Sequence, residues 1–405
     1  MLVTVTNHPR DYAWGSRTLI AQLQGRTPTG VPEAEVWFGD HPGCPARVGD
    51  GRTLTQWLAE EGAATGAPAK LPYLVKLLAA GAPLSIQVHP SKYQAEAGFA
   101  REESAGTSRD ASTRNYRDDN HKPELLVAIS DTLTALAGLR ELAATRRLLA
   151  VLGAAADPVL LRLQTDGAGQ ADGAEAVADA QVLRTTIAWL LSAEAKPVVA
   201  AIHAALPRAR SDEFAAELEV ACHLADQYPE DPGVAVALLM NLVQLRAGEG
   251  LYVAAGVLHA YVRGLGVEVM SASDNVLRGG LTEKHIDVPE LVAVLDSRPG
   301  PAPVVQTVPE GALLRFDIPA EDFALATVTA TDTSVPIPVP ITAVAILVVT
   351  QGELLLTGAR SELTLTAGTA ALATPDEGEV HVTGSGQLYL VTPGGTDSVA
   401  PKRDG

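Results

Sequence analysis

Gln87 and His89 stand two positions apart in Pro83-Leu-Ser-Ile-Gln-Val-His-Pro90, a short apolar run that reads as a strand. Side chains alternate across a strand, so these two project from one face and supply half of a metal site. Further on, Asn120-His-Lys-Pro-Glu124 ends in a carboxylate that heads a second strand-like run, residues 124–129. Glu124 therefore offers a hard anionic oxygen at a strand mouth. The remaining ligand must come from elsewhere, and His259 in Gly256-Val-Leu-His-Ala-Tyr261 is best placed, because residues 251–261 again read as a buried strand. Two imidazoles, one carboxylate and one amide suit a zinc ion and leave a position open for water or substrate. The plainer alternative is that His89 and His259 are hydrogen-bonded core histidines and Glu124 an ordinary acid.

Two cations flank this set. Arg278 follows Asp274-Asn-Val-Leu and precedes Gly279-Gly280, where small residues let a ligand come close. A guanidinium keeps its charge and offers two donors to an oxyanion, unless it is spent on a surface ion pair with Asp274. Lys122 precedes Pro123 and Glu124, and beside a metal ion its proton becomes more labile. It is a proton carrier, a phosphate ligand or a solvated loop lysine, while Glu268 and Asp274 are alternative bases. Lys76 and Ser85 are weaker candidates for substrate contact. Trp14, Trp37 and Tyr261 could wall a sugar site, although aromatics more often fill cores. His121 points away from Lys122 on an extended backbone and is not counted as a ligand.

The segments Tyr12-Ala-Trp-Gly-Ser16, Ala34-Glu-Val-Trp-Phe-Gly-Asp-His-Pro42, Pro83 to Pro90, Asn120 to Glu124, His259-Ala-Tyr261 and Ser273-Asp-Asn-Val-Leu-Arg278 resemble, in this order, those of the type I phosphomannose isomerases. Several motifs in sequence are far more specific than one short pattern. The resemblance implies one zinc ion per chain on Gln87, His89, Glu124 and His259, and a catalytic role for Arg278. It implies a phosphosugar substrate, with mannose 6-phosphate and fructose 6-phosphate interconverted through an enediolate. It also implies cupin-type jelly rolls with an inserted helical domain, the metal lying in the N-terminal jelly roll. Departures are mild: Leu-Leu-Ala-Ala-Gly follows Lys76 where serine-containing versions are common, and Ser91 stands where aspartate is frequent. A cupin oxygenase with iron on two histidines and a carboxylate would share ligands but not need Arg278.

The rest of the chain must position these groups. Its 405 residues are enough for two or three compact units. A formal charge of -18 argues against nucleic-acid and anionic-membrane partners, yet leaves room for a local basic pocket from Lys76, Lys92, Arg101, Arg117, Lys122 and Arg278. No apolar run is long enough for a membrane span, and the first residues lack a secretory pattern, so a cytoplasmic monomer is expected. Cys44 and Cys222 are far apart and read as reduced thiols.

Short strand-like runs broken by Gly and Pro fill residues 1–130, with a helix over 54–60 capped by Thr53 or Thr55. Residues 91–119 read as a polar loop. Ala- and Leu-rich segments with helical spacing fill 131–245, interrupted by a Gly-rich loop at 165–173. Strand signals resume over 246–297, with a short helix at 288–295 capped by Asp287, and a Pro-rich linker follows. Residues 304–405 alternate strongly and contain one histidine, His381, so they read as a metal-free second β-sandwich. The expected organisation is mainly β: a catalytic cupin jelly roll from 1–130 and 246–297, a helical insertion at 131–245, and a C-terminal sandwich at 304–405.

Overall fold

The computed structural model describes residues 1–164, 174–331 and 334–395. The Gly-rich loop expected at 165–173 lies outside them. Two large antiparallel sheets, ten strands each among the described residues, frame the fold, and helices cover one side of the first.

The first sheet is organised around the strand His259–Ser271. Its C-terminal half pairs with Tyr73–Ala80 and Glu124–Ala128, placing Glu268 directly opposite Lys76. Its N-terminal half pairs with Thr132–Leu139, and His259 lies opposite Gln87. Gln87 in turn lies opposite Arg278 of Leu277–Arg278. Arg278, Gln87 and His259 thus occupy one register position on three neighbouring strands, where side chains share a face at roughly 5 Å spacing.

Between Tyr261 and Arg263 the register slips by one residue, leaving Val262 as a bulge. Before the bulge, Ala260 and Val262 face the helices, while His259 and Tyr261 face inward. Beyond it the phase reverses: Leu265, Val267 and Val269 face the second sheet, and Glu268 faces the interior. A bulge re-aims side chains in this way because the period of a strand is two. Gly264 follows at φ +127°, and a Cβ there would lie 2.8 Å from Leu133 Cα. The bend is closed to larger residues.

Sheet and helices differ from expectation at several points. Residues 132–139 and 240–246, expected within the helical insertion, form the strands Thr132–Leu139 and Met240–Arg246, which pair with each other. Their Ala and Leu content suggested helix, but pairing beside His259–Ser271 overrides weak local preference. The helices therefore lie between two paired strands, from Leu142–Ala150 to Gly233–Ala237, and pack on Ile86, Val88, Leu258 and Ala260. The polar loop contains a helix, Lys92–Ser104, started by a capping box of Ser91 with Gln94. Residues 251–261 are not one strand but the ends of two, Gly250–Val253 and His259–Ser271. The helix Leu54–Thr65 takes Thr53 as its cap, and Val288–Val294 takes Asp287.

The second sheet is built on Ala345–Thr357 and Gly378–Thr392, paired along their lengths. The N-terminal strand Leu2–Thr6, expected with the first unit, joins this sheet beside Ala370–Ala373. An alternating five-residue strand carries no information about its partner. The two sheets share one apolar core: Val75, Leu77, Val127 and Val267 meet Phe316, Phe323, Ile346 and Tyr389. Tyr73, buried there, donates to Val344 O at 3.2 Å or Val391 O at 3.1 Å. Among the described residues no single helix is long and apolar enough to cross a membrane.

Gly264→Ala should destabilise the protein by about 1–3 kcal/mol or more, because alanine at that φ is strained and its Cβ collides with Leu133. The urea midpoint reads the effect. An unchanged midpoint would mean that the bend tolerates a side chain.

Candidate metal centre and active site

Glu124, 3% exposed, lies at the centre of a dense polar cluster. Its Oε1 is 3.2 Å from His89 Nε2 and 3.0 Å from Lys122 Nζ. Its Oε2 is 3.5 Å from His259 Nε2 and accepts a hydrogen bond from the Tyr261 hydroxyl at 3.1 Å. The ligand atoms of His89, Glu124 and His259 all fall within 4.8 Å of one another. The fold thus brings three of the four expected ligands to one point.

Both imidazoles are aimed by carbonyls behind them. His89 Nδ1 lies 2.7 Å from Asn275 O, and His259 Nδ1 lies 3.0 Å from Val257 O. A carbonyl can only accept, so each Nδ1 carries the proton and each Nε2 presents a lone pair to the centre. His89 Nε2 is fully buried and makes no well-aligned hydrogen bond despite its closeness to Glu124. A buried imidazole nitrogen without a partner is costly, and a cation between His89, Glu124 and His259 would satisfy it. Burial, with Lys122 nearby, pushes His89 down to about 4, so it is neutral as a ligand must be. Burial alone would raise Glu124. Lys122, 3.0 Å away, opposes it, and the carboxyl lies well below its usual range.

Gln87 borders the same cavity beside His259, and its amide donates to Ser85 Oγ at 3.3 Å. The cavity, about 350 Å³, is also lined by Lys76, Lys122, Glu35 and Glu268. Lys76 is the group that sequence reasoning undervalued: in a wholly buried strand, it is 2.8 Å from Glu268 and 3.5 Å from Glu35. Glu35 is fixed in turn by the Trp37 indole, which donates to it at 2.8 Å. Burial would neutralise Lys76, but the two carboxylates raise its pKa instead. Burial raises Glu268, which Lys76 only partly offsets. A lysine amid Tyr-Leu-Val-Lys-Leu-Leu was the available signal, since such a residue is tolerated only when paired.

The cavity opens past Glu35, Ser85 and Gln87 into an outer cleft of about 1040 Å³, where Arg278, Lys284, Tyr12, Trp14 and Tyr228 lie. Arg278 thus stands at the mouth, one strand beyond Gln87, and not at the ligand cluster. Burial, with Arg117 nearby, lowers its pKa, and it makes no ion pair among the described residues. The alternative of an ion pair with Asp274 is not seen among the described residues; Asp274 lies 3.1 Å from His41 Nε2 and lines an adjoining recess with Arg117, Arg278 and Lys284. Of the aromatics, Trp14 faces the cleft, Tyr261 buttresses Glu124, and Trp37 is in the core. His121 turns away to Asp322 at 2.6 Å, and His381 is on the second sheet beside Glu379.

Asn275 also escaped sequence reasoning. It orients His89 through its carbonyl, while its side chain accepts from Arg117 N at 2.7 Å and donates to Asp118 O at 2.8 Å. This ties the segment before Lys122 to the segment before Arg278.

Residues 2–142 match the family model described as phosphomannose isomerase type I, catalytic domain. The mannose-6-phosphate isomerase of Salmonella typhimurium is 37% identical over 400 residues, spanning 95% of this chain and 98% of that protein. The Escherichia coli mannose-6-phosphate isomerase is 36% identical over 398 residues, with 95% and 98% covered. Among solved structures, the Salmonella typhimurium enzyme bound to fructose 6-phosphate and zinc superposes with a TM-score of 0.84 at 34% identity, covering 97% of this chain and 99% of that one. Agreement at this identity extends from the ligand-bearing strands through the helices to the second sheet, and the chain belongs to the type I phosphomannose isomerases, a family of isomerase enzymes.

Proposed function

We propose that this chain interconverts D-mannose 6-phosphate and D-fructose 6-phosphate through an enediolate, with one zinc ion on Gln87, His89, Glu124 and His259. The observation that carries the reading is the buried His89–Glu124–His259 cluster, with its unpartnered His89 Nε2, opening through a polar cavity to Arg278. In this reading the two sheets are cupin-type jelly rolls, and the second is structural.

The reaction moves a proton between C1 and C2, next to a carbonyl. Such a carbon acid does not ionise unaided, so negative charge on the sugar oxygens must be stabilised while a base carries the proton. When bound, zinc supplies Lewis acidity toward a sugar oxygen. Lys122 is the proposed proton carrier: it lines the cavity beside Glu124, with no second ion-pair partner among the described residues. Glu268, by contrast, is held by Lys76 at 2.8 Å. Arg278, with no carboxylate partner among the described residues, is free to meet an anion. Together with Arg117 and Lys284 it gives the mouth a positive character within an acidic protein, which suits a phosphorylated sugar.

Chelation should abolish isomerisation of mannose 6-phosphate, and zinc should restore it. His259→Ala should lose the metal while the fold persists, because the three large cores do not depend on the ligands. Metal analysis beside circular dichroism checks both, and full metal occupancy with normal turnover in this variant would remove His259 from the ligand set.

Arg278→Lys should fold, keep its metal and lose about a hundred- to a thousand-fold in kcat, the usual cost of one preorganised oxyanion donor. One ammonium does not reproduce the planar two-donor fork. Steady-state kinetics decide the point. A raised KM with near-normal kcat would make Arg278 a substrate anchor and leave charge stabilisation to other groups.

A further inference from the structure

We propose that Asp231, on the helical insertion, is a positioning residue that fixes Arg278 by clamping the turn that follows it. The inference rests on the role given to Arg278 above.

One side chain holds three backbone amides. Asp231 Oδ1 accepts from Gly233 N at 2.7 Å and Leu281 N at 2.8 Å, and Oδ2 accepts from Thr282 N at 3.0 Å. Two of these donors belong to the turn between Arg278 and Lys284, both of which line the outer cleft. That turn is held in a conformation it would not adopt alone: Gly280 has φ +124° and Leu281, not a glycine, has φ +54°. Non-glycine residues are held in the left-handed region when surroundings over-determine them, and such strain gathers at functional sites. Gly280 and Gly233 pack backbone to backbone, leaving no room for a Cβ on either. On its other side the turn is tied to the ligand strand, through Gly279 N to Ile86 O at 2.8 Å and Ile86 N to Gly280 O at 3.0 Å. The segment around Asp231 is itself anchored at the cleft, where the Tyr228 hydroxyl donates to Pro83 O at 2.7 Å. Arg278 therefore has the Gln87 strand on one side and the Asp231 clamp behind it, while its guanidinium makes no ion pair of its own among the described residues.

The test is a double-substitution cycle read by kinetics, metal content and hydrogen exchange. Asp231→Ala removes both acceptor oxygens and all three hydrogen bonds, and Asp231→Asn, nearly isosteric, keeps one oxygen and turns an amide toward the third donor. Asp231→Ala should fold, keep its metal and lose about tenfold or more in kcat, with Asp231→Asn between it and wild type. Exchange over residues 279–284 should quicken while the strand at 259–271 stays protected. In an Arg278→Lys background the same substitution should cost less than about twofold more, because a residue acting through Arg278 has nothing left to position. An undiminished second loss, unchanged exchange, or normal kcat in both variants would overturn the proposal. Failure of the wild type to convert mannose 6-phosphate would overturn the functional reading instead, and Asp231 would then be judged on exchange and on inorganic phosphate affinity. Quicker exchange with phosphate binding weaker by about fivefold, lost in the Arg278→Lys background, supports the clamp; unchanged affinity overturns it.

Discussion

The buried carboxylate of Glu124 is the constraint on which the site depends. An ionised carboxyl withdrawn from water costs several kcal/mol unless its surroundings return that energy, and removing one partner of a buried pair typically costs about 3–5 kcal/mol. Glu124 meets His89, Lys122, His259 and Tyr261, which come from three separate stretches of chain. Lys122 and the Tyr261 hydroxyl stabilise the charge only once the strands that bring them together are in register. The same logic applies one layer away, where Lys76 is poised between Glu35 and Glu268. The interior of the first sheet is thus a network of charges that stabilise one another only in the complete fold. Such a network contributes less to stability than to fixing a single arrangement. The adhesion of the sheets comes from the apolar faces turned outward from it, toward the helices and the second sheet.

The bulge at Val262 is what allows one strand to serve the site at both ends. His259 and Glu268 are nine residues apart, and an unbroken alternation would set them on opposite faces. With one residue unpaired, both look inward, while Val262 and Val267 look outward to different partners. Gly264 allows the following bend because the backbone of Leu133 approaches where a side chain would be.

These points mark where the sequence was legible and where it was not. His89, Glu124 and His259 stand out because histidines and acids beside short apolar runs are rare and alternation assigns their faces; the structure brings them within 4.8 Å. The capping boxes at Thr53 and Ser91 obey local rules; the first helix was expected with Thr53 or Thr55 as its cap, and the second was not, because it has low apolar content. Pairing partners are another matter. Leu2–Thr6 joins the strand Ala370–Ala373 at the far end of the chain, and Thr132–Leu139 meets Met240–Arg246 across the whole insertion. Nothing in an alternating pattern names a distant partner, and Ala and Leu favour helix until a neighbouring strand decides otherwise. Lys76, Asn275 and Asp231 act through tertiary contacts, which spacing does not encode.

The strand pairing also explains how an insertion of helices can sit so near the chemistry. Since Thr132–Leu139 and Met240–Arg246 are neighbours, the helices leave and re-enter the sheet at adjacent points, and their ends are fixed by the ladder itself. The sheet supports them rather than being split by them. Their inner surface covers Ile86, Val88, Leu258 and Ala260, the residues that alternate with Gln87, His89 and His259 along the same strands. Packing on one face of these strands therefore sets the direction of the ligands on the other. A change in the helices that shifts this packing would move ligand atoms without touching them, and the tolerance is small, because close-packed interiors transmit strain rather than absorb it.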